Sequence, residues 1–143
     1  MTPSALMRSA LIPLLAIFAV TAAEAQQSRP SQAVCERAKL PGRGYIECLE
    51  KASRDTDRTM NEALARARAV IESHAELAAV QRTRWKTALD EAQGVFLRFR
   101  GLECQNVAPY EGAKGIGTFE ERLACLVDKN IARARDLEAR YGR

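Results

Sequence analysis

Four cysteines constrain this chain more than any other feature: Cys35, Cys48, Cys104 and Cys125. No two of them form a C-x-x-C pair, and the single histidine, His74, lies far from all of them. That spacing argues against a zinc site or a dithiol redox centre, both of which want close cysteine pairs. An even number of cysteines in a small exported domain reads instead as a disulfide framework. The start of the chain supplies the export. Arg8 precedes the apolar run Ala10-Leu11-Ile12-Pro13-Leu14-Leu15-Ala16-Ile17-Phe18-Ala19-Val20, and Ala23-Glu24-Ala25 follows as a small-x-small cleavage signal. This order is that of a secretory signal peptide. Residues 1–25 are therefore expected to be removed, leaving residues 26–143 as a single domain, periplasmic or secreted, with no membrane anchor.

The rest of the chain reads as helix. Polar residues 26–31 are expected to be a disordered leader, followed by a short helix over 32–39 that carries Cys35. Leu40-Pro41-Gly42-Arg43-Gly44 then breaks the chain. A long helix follows over 45–72, with Tyr45, Leu49, Ala52, Met60, Ala63, Leu64, Ala67, Val70 and Ile71 in one stripe. Ser73-His74-Ala75-Glu76 has the form of a capping box and predicts the start of a second helix running to about Cys104. Its apolar face would hold Leu77, Trp85, Leu89, Ala92, Phe96 and Phe99. Residues 105–117, with Pro109 and three glycines, read as a loop. Thr118-Phe119-Glu120-Glu121 caps a last helix reaching Tyr141, with Phe119, Leu123, Leu126, Asn130, Ala134, Leu137 and Tyr141 at helical steps. No window alternates as a strand does. The expected fold is all-α: a long antiparallel helical hairpin, a third helix packed on it, a short N-terminal helix and two disulfides.

Antiparallel helices rise by equal steps, so the hairpin predicts which residues share a level. With its turn near residues 75–77, Asn61 falls level with Gln93, and Asp57 lies within about a turn of Arg100. These four polar residues should meet between helices. A packing layer that satisfies itself is the plainer reading of them than a binding site. The same register gathers the cysteines at one end. Four cysteines allow three connectivities. Cys35–Cys48 with Cys104–Cys125 is preferred because each bridge closes a modest loop across a turn; Cys48–Cys104 with Cys35–Cys125 also fits the register.

Catalytic patterns are missing. His74 has no nucleophile and acid beside it in sequence. The Gly-rich segment 112–117 follows a helix rather than a strand, which removes it from the phosphate-loop pattern. No metal or cofactor is expected. The net charge of +4 is mild, and the basic residues are interleaved with acids, so a salt-bridged helix surface is expected and nucleic acid is not.

The motifs carry a resemblance. The Cys35/Cys48 pair, Asp57-x-x-x-Asn61, Ala92-Gln93-x-x-Phe96-x-x-Phe99-Arg100-x-x-x-Cys104 and Cys125 in a final helix resemble the LprI-type lysozyme-inhibitor N-terminal domain, an exported helical domain. The resemblance spans residues 35–137. Two positions depart from the family pattern: Gly101 stands where an acid usually follows the arginine, and Phe96 where the aromatic is often Trp. The resemblance implies a protein that blocks a lysozyme or other cell-wall hydrolase without catalysis of its own. The loop with Tyr110, Glu111 and Lys114 is the candidate for plugging the hydrolase cleft. The alternative is a non-catalytic interaction module in the envelope, built on the same scaffold.

Overall fold

A computed structural model describes residues 29–40, 42–111 and 119–142. The expected signal peptide, Lys114 and the Thr118 cap lie outside the described residues. Among the described residues, five α-helices run in order: α1 (Pro30–Val34), α2 (Arg43–Ser73), α3 (Ala79–Leu102), α4 (Ala108–Glu111) and α5 (Phe119–Tyr141). A π-helical turn, Glu103–Val107, joins α3 to α4. The fold is all-α, with no strand among the described residues. The disulfides are Cys35–Cys48 and Cys104–Cys125, with Cα atoms 5.9 and 5.3 Å apart.

The apolar stripe of α2 is buried as its spacing requires: Tyr45, Leu49, Ala52, Met60, Ala63, Leu64, Ala67 and Ile71 face inward. At its start, Gly42 takes a φ of +60°, a backbone state that costs glycine little. The closest helix pair is α2 with α5. These two run parallel, because Ser53 and Thr56 meet Asn130 while Arg66 meets Glu138 further along both helices. Small residues at the contact, among them Ala52, Ala63, Ala67, Ala124 and Ala134, let the two backbones approach. One core cluster unites Met60, Leu64, Ile71, Leu89 and Leu137; a second unites Cys35, Tyr45, Leu49, Leu123 and Val127.

Helix α3 lies antiparallel to α2 and meets it mainly through long polar side chains. Lys86 pairs with Glu72, Arg68 with Asp90 (2.7 Å) and Arg100 with Asp57 (2.7 Å). Its predicted apolar face is divided. Leu89 is buried and Phe96 half-buried, but Trp85, Ala92 and Phe99 are exposed. The reason is that Gln93 and Arg100 take the inward face beside Leu89 and Phe96, where they meet polar groups of α5.

Three boundaries differ from expectation. Ser73 does not cap α3. Its hydroxyl donates back to the Val70 carbonyl (2.7 Å), and Glu76 pairs with the His74 ring, so both halves of the expected box are committed elsewhere. Helix α3 starts at Ala79 instead. The Gln81 side chain accepts from the Ala78 N–H (3.0 Å), which is half a capping box, since alanine offers no acceptor in return. Arg82 ties the connection by donating to the Leu77 and His74 carbonyls. Second, the expected loop after residue 104 begins as the π-helical turn and α4, because Cys104 and Ala108 are drawn inward beside Cys125, with Pro109 buried after them. Pro109 sits in the first turn of α4, where its missing N–H is no loss. Third, the N-terminal helix is α1 rather than 32–39. Pro30 at its first turn starts it, and Ser31 is fully buried rather than part of a disordered leader.

Candidate functional site

The polar layer crosses all three long helices. Arg100 of α3 donates to Asp57 of α2 (2.7 Å) and to the Asn130 side-chain oxygen of α5. The Asn130 amide nitrogen donates to the Ser53 carbonyl (3.4 Å) and to Thr56 Oγ1 (3.3 Å). Asn61 joins from the exposed flank, donating to Asp57 Oδ2 at 3.1 Å. Gln93 stands one step further along. It donates to Met60 Sδ (3.6 Å) and accepts from Arg133 Nε (2.9 Å), so its partners are not Asn61 but the neighbouring methionine and α5. Asp57 and Arg100 are thus in contact, Asn61 is peripheral, and Gln93 belongs to a second, buried knot.

Sequence reasoning missed Asn130 and Arg133 as members. A signal for Asn130 existed: it interrupts an otherwise apolar stripe at 123, 126, 134 and 137 and is 1 % exposed. A polar residue there must find partners in the bundle, since an unpaired amide in the interior costs about 1–3 kcal/mol. Arg133 carries no such mark, because its guanidinium covers the Phe96 ring at 5.5 Å and reads in sequence as one more surface arginine.

At the cysteine end, Asp128 of α5 fastens α1. Its carboxylate accepts from the Ser31 N–H (2.6 Å), the Ser31 hydroxyl (3.1 Å) and Arg29 Nε (2.8 Å), while Arg29 also pairs with Glu121 at 2.8 Å. Burial pulls the Arg29 guanidinium downward in pKa, but the bonds to Glu121 and Asp128 outweigh it and hold the group above its ordinary value. A groove of about 620 Å³ opens here, lined among others by Arg29, Glu103, Glu111, Glu121, Asp128 and Lys129. Glu103 faces Lys129 across it at 3.4 Å.

Helix α4 forms the rim of this groove. Ala108 and Pro109 are buried, and the following Tyr110 stands 74 % exposed with Glu111 exposed beside it. The Cys104–Cys125 bridge pins the turn immediately before α4 to α5. An aromatic held out on a covalently anchored turn loses little entropy on being buried by a partner, which is what a binding face needs. Among the described residues no group of three or more His, Cys, Asp or Glu side chains could hold a metal ion.

Fold and site together define a small helical domain clamped by two disulfides at one end. A family model described as lysozyme inhibitor LprI matches residues 35–137, and the chain belongs to that family. No curated protein and no solved structure gives a significant match.

Proposed function

We propose that this protein is an exported inhibitor of a lysozyme-type cell-wall hydrolase that works by occlusion and has no catalysis of its own. Membership of the family supports the target class. The observation that carries the mechanism is Tyr110, 74 % exposed on α4 directly after the π-helical turn that Cys104–Cys125 anchors. Glycosidases of this kind work with two carboxylates flanking a cleft. An aromatic ring and phenol inserted between them would exclude both sugar and water. Glu111 would accept hydrogen bonds at the cleft rim, and Lys114 would offer its charge to the hydrolase carboxylates. Lysozymes are commonly basic, and the net charge of +4 opposes long-range approach. The groove beside the turn offsets this locally, since Glu103, Glu111, Glu121 and Asp128 line it against Arg29 and Lys129. The N-terminal signal and the bridged cysteines both fit an oxidising compartment outside the cytoplasm.

The test is inhibition of a c-type lysozyme by the oxidised mature protein at low and physiological salt. Dose-dependent inhibition is expected, weakened at least about 10-fold in Tyr110→Ala with unchanged thermal stability. Absence of inhibition at either salt defeats the reading. A second reading, a non-inhibitory envelope module, draws on the exposed apolar residues Val95, Phe99 and Leu102 of α3. An envelope pull-down that recovers no specific partner tells against it.

A further inference from the structure

A second apolar periodicity of α3 is exposed, with Trp85 at its start resting near Tyr141 of α5 (ring centroids 6.1 Å apart) and Phe99 under the Lys129 ammonium of α5 (5.0 Å). Trp85, Ala88, Ala92, Val95, Phe99 and Leu102 recur at alternating steps of three and four, the spacing of a coiled-coil seam. All six are exposed, with Val95 at 55 %, Phe99 at 48 % and Leu102 at 63 %. Beside the seam stand Glu91 and Arg98, both exposed. Neither makes a hydrogen bond or ion pair with any described residue, as is also true of Glu50, Arg54, Glu62, Arg84 and Arg135.

We propose that α3 is the interface of a two-fold homodimer, in which the seam packs antiparallel against the same seam of a second copy. The stripe is complementary to its own reverse. Aligned antiparallel, Trp85 falls level with Leu102 of the second copy, Ala88 with Phe99, and Ala92 with Val95. Small faces large at the two inner layers, which lets knobs enter holes without voids. The same alignment sets Glu91 beside Arg98 of the second copy, and by symmetry Arg98 beside its Glu91. Two otherwise unmatched charges per chain thereby become two ion pairs across the axis. A parallel arrangement lacks this match. It would read one flank of the seam against the other, and on the other flank Leu89 and Phe96 are turned into their own bundle. This inference stands independently of hydrolase inhibition.

The experiment is sedimentation equilibrium on the oxidised mature protein, with thermal melts to confirm that each variant folds. A dimer is expected with a dissociation constant on the order of 10 µM. Val95→Glu should weaken it at least about 10-fold by placing charge in the seam. Arg98→Glu alone and Glu91→Arg alone should each weaken it roughly 3–10-fold, because each sets like charges together. The double reversal E91R/R98E should return it to within about 3-fold of the parent. A protein that stays monomeric to about 100 µM overturns the proposal. So does a dimer indifferent to Val95→Glu, or a double reversal no better than the single changes. If the protein is monomeric and Val95→Glu abolishes lysozyme inhibition instead, the face belongs to the hydrolase and not to a second copy.

Discussion

Arg100 joins α2, α3 and α5 through one guanidinium, whose side chain is 18 % exposed while that of its partner Asp57 is 44 % exposed. Its Nη1 serves both Asp57 and Asn130, whereas its buried Nε has no partner among the described residues. A half-buried pair of this kind adds little stability by itself, but removing Arg100 leaves the buried Asn130 oxygen without its donor. Arg100→Ala should therefore cost about 2–3 kcal/mol in denaturant unfolding, mostly through Asn130, which loses the donor to its oxygen. Arg100→Ala in an Asn130→Leu background should cost clearly less, and equal costs would show that the two residues are not coupled. At this scale the sequence was partly legible. The Asp57–Arg100 contact follows from helical rise alone. The division of the layer into an Arg100–Asn130 knot and a Gln93–Arg133 knot does not, because it depends on how far α5 is shifted along the other two helices, and no local pattern encodes that shift.

Among the elements, the helices themselves were visible as stripes, and the misreadings lie where a residue had two partners to choose from. Ser73 can cap a following helix or bond back to a preceding one, and here α2 keeps it. The face of α3 was misassigned for a related reason: its apolar residues form two stripes, and only packing shows which one turns inward. The α2–α3 contact rests on surface ion pairs, so it should respond to acid. Glu72, hydrogen-bonded to Lys86 and close to its charge, has a carboxyl held below its ordinary value of 4.5. A folded-state pKa lowered in this way stabilises fully above 4.5, and the contribution is lost as pH falls through the depressed folded value. Glu72→Gln should accordingly melt lower than the parent at pH 7 and together with it at pH 2. A melting gap that survives at pH 2 would assign the contact to packing rather than charge.

Across the whole molecule, both bridges lie at one end, close to α1, α4 and the first turns of α2 and α5. The preferred pairing was legible because each bridge joins neighbours in the chain, at separations of 13 and 21 residues. Replacing either cysteine pair by alanines should cost about 2–4 kcal/mol, with the Cys104–Cys125 pair at the upper end because its loop is longer. Equilibrium unfolding of the two double variants under oxidising conditions measures both. A larger loss at Cys35–Cys48 would mean that native packing around α1 outweighs the entropy of loop closure. With Asp128 fastening α1 and Arg100 joining the middle, constraint falls off toward the connection between α2 and α3.

That one-sided stapling gives the domain a polarity in time. Opening should begin at residues 74–78, far from either disulfide, where short-range backbone bonds such as Leu77 N–H to the His74 carbonyl, together with Arg82, Gln81 and the His74–Glu76 pair, tie the connection. Amide protons there should exchange with solvent first, and a protease should make its earliest cut in the same stretch, while the turn bearing Tyr110 stays closed until the whole bundle parts. A thiol reductant would invert that order, making the end that carries Tyr110 the first to loosen. For the proposed inhibitor, that order would release the hydrolase before the helices were lost, so that its activity would follow the redox state of the space around it.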